Sequence, residues 1–157
     1  MPVISRIVSM ALRFAELVSA SVVAGIIGSY LHASDAAHAW PEKRFIYIEV
    51  IAGVSILFSL IWLLPFAGGF IHWPMDLVLS AAWFAAFGLL VNSLGDHGCG
   101  GGVFSWSGIT HGGVCNRWRA SEAFSFISAI CWLVSTIVGI WFVSRVTDRA
   151  VATDNAG

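Results

Sequence analysis

Charge is what this 157-residue chain has least of: eight Lys or Arg and nine Asp or Glu make up 11% of it, for a net charge of -1. No Lys/Arg-rich run is present to neutralise a polyanion, so nucleic acid is set aside as a partner. Paired ligand spacings are missing as well. With neither CxxC nor HxxxH in the sequence, a zinc site or redox dithiol lacks its usual framework. The run GCGGG at 98–102 is not followed by Lys-Ser/Thr, so it is a poor phosphate loop. Four prolines punctuate the chain, and none breaks the interior of a long apolar stretch.

Apolar residues, by contrast, reach 58%, with eight tryptophans. A chain of this size cannot bury so much oily surface within itself, so lipid must cover the remainder. Four apolar stretches at about residues 8–31, 45–66, 75–94 and 121–144 each suffice, at 1.5 Å per residue, to cross a hydrocarbon layer of about 30 Å. The expected fold is all-α, a transmembrane four-helix bundle. The first stretch is longer than a signal-peptide core and carries Arg13 and Glu16, so it reads as a retained span. Residues 147–157 are small and polar and read as a disordered tail.

Within the spans, Arg6, Ser9, Arg13 and Glu16 recur at three- and four-residue steps along one helix face. Two readings fit: arginines that snorkel to headgroups, or a polar stripe turned into the bundle. Ser21, Gly25 and Ser29 form overlapping small-xxx-small steps, a helix-packing pattern, and span 4 repeats the theme at Ser125, Ala129, Ser135 and Gly139. The segment from Pro65 to Pro74, with Gly68-Gly69, predicts a tight hairpin between spans 2 and 3.

The last loop, DHGCGGGVFSWSGITHGGVCNRWRASE from Asp96 to Glu122, carries Cys99 and Cys115. Two loop cysteines without a CxxC favour a structural disulfide over a thiol-oxidase pair, and Trp106 is expected to pack inside the closed loop or onto the helix ends. His72 and Asp76, or Asp96, His97 and His111, make a metal site conceivable, but without paired spacings the expectation is no metal and no cofactor. Lys/Arg counts tie across the membrane: Arg6, Arg13, Arg145 and Arg149 against Lys43, Arg44, Arg117 and Arg119. The disulfide breaks the tie, since it persists on the oxidising side and so leaves both termini cytosolic. Ionisable residues then fall into an inner set (Arg13, Glu16, Asp76) and an outer set (Glu49, Arg117, Arg119, Glu122). The expected pairing is of Arg13 with Glu16 or Asp76.

The span-3 string WFAAFGLLVN (Trp83 to Asn92), the loop elements CGGG (Cys99 to Gly102) and FSW (Phe104 to Trp106), and CNRWRASEAFSFISAICWLVS (Cys115 to Ser135) occur in this order. Together with Arg13 and Asp76, they resemble the fungal branch of the MARVEL-domain family. The resemblance covers Arg6 to Val146, with spans 1 and 2 matching mainly in hydropathy. It implies four helices, cytosolic termini, a cysteine-bearing last loop, and a role in membrane organisation, trafficking or membrane apposition at the plasma membrane or secretory and vesicle membranes, with no enzymatic activity. Loop 1 is short and lacks cysteine, so occludin- and physin-type first loops are not matched. The implied partners are membrane lipids and other membrane proteins, including further copies of the chain. The competing expectation is a small membrane enzyme or transporter for a hydrophobic metabolite, with Glu49, Asp76 or His72 handling a proton.

Overall fold

The computed structural model describes residues 3–36, 43–63, 73–96, 99 and 113–154. These residues form four α-helices, α1 (Val3–Ala36), α2 (Lys43–Leu63), α3 (Trp73–Asp96) and α4 (Val114–Asp154). Each contains a stretch long and apolar enough to cross a bilayer, at Ile7–Ala33, Lys43–Leu63, Trp73–Gly95 and Cys115–Arg145.

Several boundaries differ from the sequence reading, and α1 extends five residues beyond the expected 8–31 at each end. Helix α4 starts at Val114, seven residues before the expected 121, and runs on to Asp154. The tail expected to be disordered over 147–157 is therefore helical as far as Asp154, because Thr-Asp-Arg-Ala-Val-Ala-Thr contains no Gly or Pro to stop a helix already nucleated. At the other end, Gly113 has φ +148°, a conformation that suits glycine. Its carbonyl accepts the Arg117 amide at 3.2 Å and opens the helix. Helix α2 is described as far as Leu63, and the expected residues 64–66 lie outside the described residues. The hairpin at 65–74 falls largely outside the described residues, as do His72, His97, Trp106 and His111.

All four helices turn inward on the same alternating three-four step: 13, 16, 20, 23, 27, 30 on α1; 45, 48, 52, 55, 59, 62 on α2; 76, 79, 83, 86, 90, 93 on α3; and 118, 121, 125, 128, 132, 135 on α4. A 3.5-residue repeat keeps one seam of each helix facing its neighbours, as in antiparallel bundles. With successive helices antiparallel, these positions stack in six layers. At one end Tyr30, Phe45 and Trp118 meet with ring centroids 4.9 to 5.2 Å apart. Arg13, Trp62, Asp76 and Ser135 share the other end. Trp83 and Trp132 are fully buried in between.

Outside, the bundle is oily: Phe14, Leu57, Ile7 and Val78 are each at least 60% exposed. Inside, Ser19, Ser55, Ser59, Ser80, Ser121, Ser125 and Ser128 are buried. This inverted pattern suits lipid, where apolar surface is already solvated and small or polar side chains hold helices together.

Helix α1 packs on α2 and α4, and α3 chiefly on α4, whereas α2 and α3 pack least closely of the adjacent pairs. Side chains bridge that wider seam: Trp83 Nε1 donates to Ser55 Oγ at 2.9 Å and the Tyr47 hydroxyl to the Ala82 carbonyl at 3.3 Å. The α3–α4 seam is tight enough that a Cβ at Gly139 would stand 3.0 Å from Trp73 Cβ.

The small-residue stripe Ser21, Gly25 and Ser29 does not pack within the bundle. Those residues are exposed, the space around Gly25 is open, and the two hydroxyls bond back to the Leu17 and Ile26 carbonyls at 2.7 Å. The inward stripe lies one or two positions earlier, at Ala20, Val23 and Ile27. Small residues occur on both faces of a membrane helix, so their spacing alone did not say which face turns inward.

Candidate functional site

Arg13 enters the bundle from the second turn of the membrane-crossing part of α1, inward-facing because it continues the Glu16, Ala20, Val23 seam. Its guanidinium forks: Nη1 donates to Glu16 Oε2 at 2.9 Å and Nη2 to Asp76 Oδ2 at 2.7 Å. Glu16 and Asp76 are almost fully buried. The sequence reading proposed one partner or the other, and the structure brings Arg13 against both. A planar guanidinium can serve two acceptors at once, which a lysine ammonium does less well.

The other two helices complete the site. Ser135 on α4 donates its hydroxyl to Glu16 Oε1 at 2.6 Å. The Arg13 guanidinium carbon lies 4.4 Å from the ring centroid of Trp62 on α2 and 5.0 Å from that of Trp132 on α4. Aromatic faces thus receive the part of the cation that the carboxylates leave, an attraction strengthened where water is excluded. One helical turn farther in, Ser128 donates to Ser19 Oγ at 2.8 Å, and Ser19 bonds back to the Ala15 carbonyl at 2.7 Å.

Ser135, Trp62, Trp132, Ser19 and Ser128 were not singled out as site residues from the sequence. The available signal was the α4 face Ser121, Ser125, Ser128, Ser135, hydroxyls at helical spacing in an apolar stretch. Of the residues on the N-terminal polar face, Ser9 is exposed, and the Arg6 side chain lies outside the described ones.

The outer ionisable set is spread over more of the bundle. Glu49 on α2 lies against α1, where its Oε1 would be 3.4 Å from a Cβ at Gly28. Its buried Oε2 has no hydrogen-bond partner among the described residues. Glu122 is buried near the start of α4 and Arg117 is exposed. Arg119 donates to the Cys99 carbonyl at 3.2 Å. Cys99 and Cys115 are disulfide-bonded with Cα atoms 5.4 Å apart, joining the end of α3 to the start of α4. Cys99 also caps α3, its amide donating to the Leu94 carbonyl at 3.1 Å. Cys131 is a free, half-buried thiol. Among the described residues no three His, Cys, Asp or Glu side chains group as for a metal ion.

Four apolar helices around an ion network drawn from every helix define a polytopic integral membrane protein. The chain matches the MARVEL family model, described as a membrane-associating domain, over residues 6–138, and it belongs to that family. None of the curated proteins matches it.

Proposed function

We propose that this chain organises membrane subdomains, in trafficking or membrane apposition, by lateral self-association and lipid contact and without catalysis. The observation that carries the reading is the outward face of α1. Met10, Phe14 and Val18 cover its first half, while Ser21, Gly25 and Ser29 leave its second half nearly bare, with nothing among the described residues within 4 Å of a Cβ at Gly25. Another helix can approach such a face closely enough for backbone contact, the principal attraction available between helices in lipid. Buried polar groups support the same reading, because they serve to lock the bundle: Asp76 is engaged by Arg13, and Glu16 by Arg13 and Ser135.

The reading includes an orientation with both termini cytosolic and the Cys99–Cys115 end on the oxidising side, at the plasma membrane or in secretory and vesicle membranes.

The test compares wild type with Gly25→Leu at matched expression, reading intermolecular crosslinking and the distribution of a fluorescent fusion. Crosslinked oligomers and discrete patches for wild type, both lost in Gly25→Leu while insertion is retained, are the expected result. A wild type that stays monomeric and spreads uniformly overturns the proposal.

A further inference from the structure

Buried polar atoms in folded proteins almost always have a partner, either protein or ordered water. Along the axis of this bundle four do not: Ser59 Oγ on α2, and Ser121 Oγ, Ser125 Oγ and Trp132 Nε1 on α4 have no hydrogen-bond partner among the described residues. All four residues are fully buried or nearly so, with Ser59, Ser121, Ser125 and Trp132 each at 0% exposure. Lipid offers no hydrogen bond to any of them.

Their positions are not scattered. Ser121, Ser125, Ser128, Trp132 and Ser135 occupy one face of α4 at steps of four, three, four and three, covering about 21 Å along the axis. The last of them touches Glu16. In the stacking of inward positions, Ser125 shares a layer with Val23, Ala52 and Ala86, the smallest set of side chains in any layer. Ser59 and Trp132 share the layer of Glu16. Between these two layers the buried polar side chains are already bonded, Ser128 to Ser19, Trp83 to Ser55 and Ser80 to the Ala129 carbonyl. Small side chains together with unmet donors and acceptors are the condition for bound water rather than a dry cavity, since a buried water makes two to four hydrogen bonds.

We propose that the bundle axis binds a file of water molecules between Ser121 and the Glu16 carboxylate, along which protons move to Glu16. Each water and serine hydroxyl in such a file accepts one proton as it gives up another, so a proton advances with no net bond made or broken at the intermediate groups. The file is a property of the single chain and does not depend on self-association.

The experiment is deuterium exchange at indole N–H groups, followed by NMR on the full chain in lipid nanodiscs transferred to D2O. Trp83 supplies the internal control: it is as buried as Trp132, but its Nε1 is bonded to Ser55 at 2.9 Å. Trp132 Nε1–H is expected to exchange at least tenfold faster than Trp83 Nε1–H. Ser125→Val, which fills the small layer, should slow Trp132 at least tenfold, whereas Ser125→Ala, which leaves that layer small, should keep it within threefold of wild type. Equal, slow exchange of the two indoles in wild type overturns the proposal, and this comparison stands even if a variant fails to fold. Fast exchange at Trp132 that Ser125→Val leaves unchanged overturns the route through the α4 face.

Discussion

At the scale of single residues, Arg13 is the side chain on which most depends. Removing a partner from a buried ion pair leaves the remaining charge without solvent or counter-charge, and such losses run to about 3 to 5 kcal/mol. Arg13→Ala strands two carboxylates, Glu16 and Asp76, that are both almost fully buried. Arg13→Ala is therefore expected to lower the thermal midpoint of the detergent-solubilised protein sharply. Combining it with Glu16→Gln and Asp76→Asn should recover much of the loss, because the stranded charges are gone. A midpoint unchanged in Arg13→Ala would mean that the arginine snorkels in the membrane instead of holding the network. Arg13→Lys is expected to fall between, since an ammonium matches neither the two-carboxylate fork nor the stacking between Trp62 and Trp132.

Among elements, Gly25 and Gly139 differ although both sit in small-residue steps. A Cβ at Gly25 meets nothing within 4 Å, whereas one at Gly139 presses on Trp73 at 3.0 Å. Gly25→Leu should leave the thermal midpoint of the monomer within a degree or two of wild type. Gly139→Leu should destabilise it by about 1 to 3 kcal/mol, as overpacked contacts do, by wedging α3 from α4. The reverse order in a melting experiment would show the helix faces to be misassigned. The α3–α4 end is also held covalently. Closing a loop of this length contributes roughly 3 kcal/mol in the chain-entropy account, so Cys99→Ser with Cys115→Ser should melt earlier, and added reductant should bring wild type down to it. No reductant effect on wild type would remove the bond from any stabilising role. The number of helices, their spans and the cysteine pair were legible in the sequence because length, hydropathy and loop position carry them. The Arg13 network was half legible, since charges stand out in apolar segments, but its Ser135, Trp62 and Trp132 members did not. In lipid both the inner and outer faces of a helix are apolar, so the contrast that reveals an inward face in water-soluble helices is nearly flat here. The distinction between Ala20–Val23–Ile27 and Ser21–Gly25–Ser29 is therefore made by packing and not by composition.

For the molecule as a whole, four crossings put both ends of the chain on one side, and Lys/Arg counts give neither side preference. A tag at the C-terminus is expected to resist protease added outside intact cells, while a maleimide reagent that cannot cross membranes should label Cys99 and Cys115 after external reduction. Digestion of the tag from outside would invert the orientation. The ion network has one more consequence, which concerns time. Synthesis delivers Arg13 and Glu16 to the membrane first, close enough along one helix to neutralise each other, while Asp76 arrives two spans later and Trp132 and Ser135 arrive last. Until α4 is inserted the network lacks its second aromatic face and the hydroxyl on Glu16. A nascent chain stopped before α4 thus displays in the bilayer an incompletely satisfied cluster that the finished chain conceals, and that difference marks unfinished copies for any machinery that surveys polar residues in membrane helices.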